Sequence, residues 1–207
     1  MAFIGIRIPH ETGRLLTGIE VPGKKVAASE LHITLLYFGE DWPVSEVSRA
    51  LEATYQVLSK VKPFLVEAKQ ITTFPGHGDE GNAVVILVDS EELHIMRKKL
   101  AKEFEKRKID FDKTYKTYKP HITISYAGPE MVEDNSLEAP VEFPVHEVVL
   151  WGGDHGDDRI FVTFPLKGPE CQKHAILCQK ADIFYKIANN PKQEHLTATK
   201  ERRKSPR

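Results

Sequence analysis

Two short stretches of alternating apolar and polar residues are nearly copies of each other. Residues 31–40 read Leu-His-Ile-Thr-Leu-Leu-Tyr-Phe-Gly-Glu, and residues 120–129 read Pro-His-Ile-Thr-Ile-Ser-Tyr-Ala-Gly-Pro. Superposed with a shift of 89 residues, they share His-Ile-Thr (from His32 and from His121), a tyrosine (Tyr37, Tyr126) and a glycine (Gly39, Gly128). Each is a β-branched and aromatic run of strand length closed by a glycine, so each predicts a strand.

The pattern elsewhere supplies neighbours for these two strands. Residues 3–8 alternate, with Ile4, Ile6 and Ile8 on one face and Phe3, Gly5 and Arg7 on the other, until Pro9 ends the run. Residues 10–30 contain Gly13, Gly18, Pro22 and Gly23 and predict mainly loop, with a short helix or strand over 15–21. Pro43 and Ser45 open a helix whose apolar stripe is Val47, Ala50, Leu51, Thr54, Leu58 and Val61, and Pro63 stops it. Strands are predicted over 64–71 and 83–88, with a turn-rich segment between them. Asp89-Ser-Glu-Glu then opens a second helix, marked by Leu93, Met96, Leu100 and Phe104 and ending near Lys108. After the strand over 121–127, residues 145–151 and 159–166 predict a hairpin. Each half thus offers strands, a His-Ile-Thr strand and one helix: an approximately duplicated α+β unit with antiparallel sheets.

Composition narrows the class. A 207-residue chain with 41% hydrophobic content buries one substantial core, so one main domain with an appendage is expected. A net charge of −1 argues against a general nucleic-acid coat or a membrane-surface protein. Only Cys171 and Cys178 occur, which implies no disulfide framework and fits a reducing compartment. No run approaches the ~20 apolar residues of a membrane span. The strand-like N-terminus is too short for a signal-peptide core, so the protein is expected to be cytoplasmic. From residue 168 the character changes. Residues 171–188 fit a helix, and 189–207 are polar with a basic end, read as disordered or as a partner-binding tail.

The triplet His-x-Thr carries little information alone, because nine histidines and twelve threonines produce it four times. The copies at His10 and His195 lie in turn-like and polar, basic surroundings and are read as chance. Those at His32 and His121 open strands. On a strand His32 and Thr34 share a face, about 7 Å apart, as do His121 and Thr123, and Ser125 extends the second face. If the two strands are neighbours, one cleft receives two imidazoles and two threonine hydroxyls, a set suited to a phosphodiester. One neutral imidazole takes a proton while the other, protonated, delivers one to the leaving oxygen. The hydroxyls donate to the non-bridging oxygens, and the scheme requires no metal and no cofactor.

These motifs resemble the two-histidine (2H) phosphoesterase superfamily, which includes LigT-like RNA 2′,3′-cyclic phosphodiesterases and 2′-5′ RNA ligases. Ser-Glu-Leu-His-Ile-Thr-Leu-Leu-Tyr-Phe-Gly-Glu is similar to the first family motif and Tyr-Lys-Pro-His-Ile-Thr-Ile-Ser-Tyr to the second, with the resemblance spanning about residues 1–166. It implies a bilobal, pseudo-twofold α+β fold, two antiparallel sheets flanking a central cleft with helices outside. It also implies catalytic roles for His32, Thr34, His121 and Thr123. The domain is expected over 1–167 and the extension over 168–207. One departure is the absence of a clear predicted helix before the first motif, which bears on the cleft entrance.

Around the motifs, Ser125, Tyr118, Lys119 and Arg7 are the candidate substrate-binding residues. Tyr115, Lys116, Tyr118 and Lys119 combine rings that stack a base with cations that attract phosphate, and Arg7 shares its strand face with Gly5 at the cleft floor. Asp154, His155, Asp157 and Asp158 read as a solvated hairpin turn. Cys171, His174 and Cys178 lack the fourth ligand of a zinc site. The expected partner is an RNA terminus or a small nucleotide, including cyclic oligonucleotides. The protein is expected to be a monomer, with no membrane contact and with the tail as a further contact. A non-catalytic RNA- or nucleotide-binding module using the same cleft is the alternative.

Overall fold

The computed structural model describes residues 2–166 apart from 40–41, 44–45, 77–80, 115–116 and 153–159. Among them the chain forms β1 (Ala2–Arg7), α1 (His10–Thr17), β2 (Lys24–Lys25), a 3-10 turn (Ala28–Glu30), β3 (His32–Gly39) and α2 (Val47–Leu58). It continues with β4 (Phe64–Phe74), β5 (Ala83–Asp89), α3 (Glu91–Lys106), β6 (His121–Tyr126), β7 (Asn135–Val145), β8 (Glu147–Gly152) and β9 (Ile160–Pro165).

The strands lie in the order β7-β4-β5-β6-β3-β1-β8-β9, with β2 added against β6. Every pairing between these strands is antiparallel. The order is symmetric about the β6–β3 junction, where two four-stranded halves meet. β8 and β9 return from the C-terminal side to complete the N-terminal half, so neither the halves nor their helices are simple consecutive copies. This is the expected α+β architecture, and the sheet does not close into a barrel.

The duplication reaches the backbone. The β1–β3 register passes from Gly5 opposite Thr34 to Ile4 opposite Leu36, leaving Leu35 as an extra residue. The β5–β6 register passes from Val85 opposite Thr123 to Val84 opposite Ser125, leaving Ile124 extra. Both motif strands therefore bulge one residue after the threonine. The carbonyl before each histidine is also anchored alike, Leu31 O by Ile8 N–H (3.1 Å) and Pro120 O by Val88 N–H (3.0 Å). Gly39 and Gly128 both take positive φ, 93° and 59°. A Cβ at either would meet nothing within 4 Å, so the backbone conformation and not crowding selects glycine there.

The helices bury the stripes that their spacing marks: Val47, Ala50, Leu51, Thr54 and Leu58 on α2, and Leu93, Met96, Leu100 and Phe104 on α3. α2 and α3 pack on each other and α3 packs on β3, where Phe104 stacks on Phe38 with centroids 5.6 Å apart. Glu91 and Glu92 sit in the first turn of α3, where the helix dipole favours them. One contiguous core runs through both halves.

Three expectations are corrected. Residues 10–17 are helical and not loop: Gly13 is buried in α1, where a Cβ would lie 2.9 Å from the Ala28 carbonyl, so this glycine permits close packing and does not break the helix. β7 is a strand that the pattern missed. It pairs with β4 at the sheet edge, where Pro140 and Pro144 and its exposed positions are tolerated. The strand predicted over 64–71 extends to Phe74. Ser45, the hairpin tip over 153–159, Tyr115, Lys116 and residues 167–207, with Cys171, His174, Cys178 and His195, lie outside the described residues.

Alanine at Gly39 or Gly128 is expected to cost about 1–2 kcal/mol each, the left-handed penalty of a side chain. Urea unfolding of the two single variants checks this, and midpoints equal to wild type at both sites would contradict the matched backbone.

Candidate active site

β3 and β6 are joined by a single residue pair, Ile33 opposite Ile122. Both isoleucines are fully buried, 0% exposed, and point into the core. Side chains alternate along a strand, so the residues flanking each isoleucine turn to the other face. Continued one residue either way, the antiparallel register sets His32 across from Thr123 and Thr34 across from His121, with Cβ atoms about 5 Å apart across the strands. All four are half-buried. Two histidines and two threonines thus share one diagonal arrangement on one face.

Each imidazole is held the same way. His32 Nδ1 lies 2.8 Å from the Glu30 carbonyl, and His121 Nδ1 lies 2.7 Å from the Lys119 carbonyl. A carbonyl only accepts, so Nδ1–H donates in both rings and Nε2 is left to act. A neutral ring then offers Nε2 as a base, and a protonated ring offers Nε2–H as an acid. Aromatic rings flank both. Phe3 stacks on His32 (4.5 Å, 20°) and continues to Trp151 (5.5 Å), and Phe74 meets His121 edge-on (4.8 Å, 63°). Gly5 leaves the space for the Phe3 ring, since a Cβ there would lie 2.9 Å from Phe3 Cε2.

Burial lowers the pKa of both histidines, opposed in each by the carbonyl hydrogen bond. The remaining charges differ. The Glu30 carboxylate works against the lowering at His32, whereas positive charge on His32 adds to the lowering at His121. Glu30 thereby favours the charged form of His32.

The other candidate residues fall into different places. Arg7 is exposed and lies directly opposite His32, on the same face. Leu87 holds the equivalent place opposite His121. Lys119 is exposed, with its ammonium 5.9 Å from the Phe74 ring that packs on His121. Ser125 is fully buried, and its hydroxyl donates to the Pro22 carbonyl at 2.6 Å. The bulge at Ile124 interrupts the alternation by which spacing placed Ser125 beside Thr123. Tyr118 turns inward, its hydroxyl donating to the Thr34 carbonyl at 3.0 Å. His10 begins α1, and its ring lies against Glu11. Phe3, Phe74 and Glu30 escaped the sequence reading. Phe3 was visible on the Gly5–Arg7 face, whereas nothing local marks Phe74. Among the described residues no three His, Cys, Asp or Glu side chains converge on one point.

The family model of the 2′-5′ RNA ligase superfamily matches residues 19–157, more than half of the 207-residue chain. The chain belongs to this superfamily. In fold, this superfamily member is similar to TT0787 of Thermus thermophilus, with 21% identity and a TM-score of 0.66 over 81% of this chain and 99% of that one. It is also similar to E. coli LigT in its apo form, with 18% identity and a TM-score of 0.51 over 80% and 94% of the two chains. The E. coli LigT structure complexed with 3′-AMP gives 19% identity and a TM-score of 0.53 over 80% and 94%. None of the curated proteins matches the sequence.

Both histidine pKa values lie below the ordinary 6.5 in the folded protein. Below that pH the unfolded chain binds protons that the folded chain does not, so stability is full above about pH 7 and declines as the pH falls through 6.5. Thermal midpoints of wild type should therefore fall on mild acidification more steeply than those of a His32→Gln/His121→Gln double variant. Parallel curves would contradict the buried, neutral histidines.

Proposed function

We propose that this superfamily member is a metal-independent phosphodiesterase acting on 2′,3′-cyclic phosphates or 2′-5′ linkages in RNA ends or small nucleotides, cyclic ones included. The observation that carries this reading is the Ile33–Ile122 pair, which brings two Nδ1-anchored histidines and two threonines onto one face. Substrate class draws support from the E. coli LigT structures complexed with 3′-AMP and with ATP. Residues 1–167 form the catalytic domain in this reading, with 168–207 as an extension that offers a partner contact. Substrates of this kind put the protein's work in the cytoplasm. Among the described residues no helix is long and apolar enough to cross a membrane.

For a 2′,3′-cyclic phosphate, His121 Nε2 takes a proton from water as the water oxygen bonds to phosphorus. His32 Nε2–H gives its proton to the ribose oxygen as the second P–O bond breaks. The two histidines end with exchanged protonation states, and solvent restores them. Glu30 favours the charge on His32 and so the acid role there. Thr34 and Thr123 donate hydrogen bonds to the non-bridging oxygens, where negative charge grows. Arg7 and Lys119 draw the anion to the cleft.

The test is hydrolysis, in EDTA, of adenosine 2′,3′-cyclic phosphate, a 2′-5′-linked dinucleotide and a cyclic dinucleotide. Wild type should turn over at least one with a bell-shaped pH profile. His32→Ala and His121→Ala should each lose about 10²- to 10⁴-fold, and Thr34→Val or Thr123→Val about 10²-fold. Binding of all three without turnover of any would replace the enzyme with a nucleotide-binding module.

A further inference from the structure

Very little sheet holds the two halves together at the cleft. Beyond Thr123, the edge of β6 that faces away from β5 is taken by β2, with Lys25 opposite Ser125 and Lys24 opposite Tyr126. On the other side of the Ile33–Ile122 pair stands Pro120, whose backbone faces β5 and not β3. Its carbonyl already accepts from Val88 of β5. The connection that crosses between the halves at this point is a side chain: the Tyr118 hydroxyl donates to the Thr34 carbonyl at 3.0 Å, across 84 residues of sequence.

The Tyr118 ring is held from α3. The Arg97 guanidinium carbon stands 5.1 Å from its centroid, and the His94 ring meets it edge-on at 5.5 Å. Arg97 Nε is buried without a hydrogen-bond partner among the described residues. Burial pushes the phenol's pKa up, which keeps the hydroxyl a donor at every physiological pH. The first half has no counterpart. The 89-residue shift that superposes the motifs puts Ser29 where Tyr118 stands and Leu31 where Pro120 stands.

From this geometry we infer that Tyr118 is a positioning residue: its bond to Thr34 ties the two halves together beside the Ile33–Ile122 pair and sets the separation of the two His-Thr pairs. The inference rests on the two-histidine reading of the cleft. Segment 118–121 grips Thr34 of one half at its start and presents His121 at its end, with the Lys119 carbonyl between them orienting the imidazole. Loosening its first contact shifts His121 against Thr34 and His32, and proton transfer is far more sensitive to such a shift than substrate binding is.

Tyr118→Phe keeps the ring with its Arg97 and His94 contacts and removes one hydrogen bond. Using whichever phosphodiester wild type hydrolyses, the variant should lose roughly 10- to 100-fold in kcat, with KM changed by less than about threefold. NMR titration of the histidine side chains supplies a readout that needs no turnover. In wild type His121 should titrate below His32, and in Tyr118→Phe the gap should narrow, because the effect of one ring's charge on the other falls with distance. Glu30 beside His32, Lys119 beside His121 and Arg7 opposite His32 are untouched by the substitution, so the gap reports ring spacing. If wild type hydrolyses nothing, the proposed activity fails while the titrations still decide the positioning. Wild-type titrations, with wild-type kcat where turnover exists and only a lowered Tm, would overturn the inference and leave Tyr118 a purely structural strap.

Discussion

Ile33 against Ile122 is the contact on which the cleft depends. Each isoleucine contributes on the order of 2–3 kcal/mol by leaving water, and the gain is available in only one register. Because strand side chains alternate, a slip of one residue would bury the histidines and threonines and expose the isoleucines. The apolar burial that fastens the halves therefore also holds four polar side chains on the opposite face. Matching bulges at Leu35 and Ile124 then bend both strands just past the threonines, so the paired stretch is confined to the two His-Ile-Thr segments.

A duplicated backbone carries unequal charges. Both imidazoles spend Nδ1–H on the carbonyl two residues before them, and both are flanked by phenylalanine. The residue supplying that carbonyl is Glu30 in one half and Lys119 in the other, and the residue across from the histidine is Arg7 in one and Leu87 in the other. Burial makes it costly to charge either ring. Small differences around them are then enough to make the two rings unequal.

The two motif strands, both main helices and the α+β class were legible because each rests on local periodicity: period two for the strands and 3.6 for the stripes of α2 and α3. α1 and β7 were not, because their residues act through distant partners. Gly13 reads as a helix breaker until Ala28 is seen packed on it, and β7 reads as an irregular polar stretch until its edge position removes the need for a second hydrogen-bonded side. Within the site, spacing placed Ser125 with Thr123, but the Ile124 bulge buried its hydroxyl against Pro22. Tyr118 looked like a stacking platform beside the second motif, whereas its hydroxyl and ring are committed to Thr34, Arg97 and His94.

By itself, the sequence determined that each histidine shares a face with a threonine and that the unit occurs twice, since covalent order and strand pitch settle those. Only the tertiary structure decided that the two units meet, which register joins them, and which neighbours tune each imidazole. Those depend on Ile33 finding Ile122, Phe74 finding His121 and Tyr118 finding Thr34 across long loops. No local periodicity encodes such encounters, because burial of the whole core selects them together.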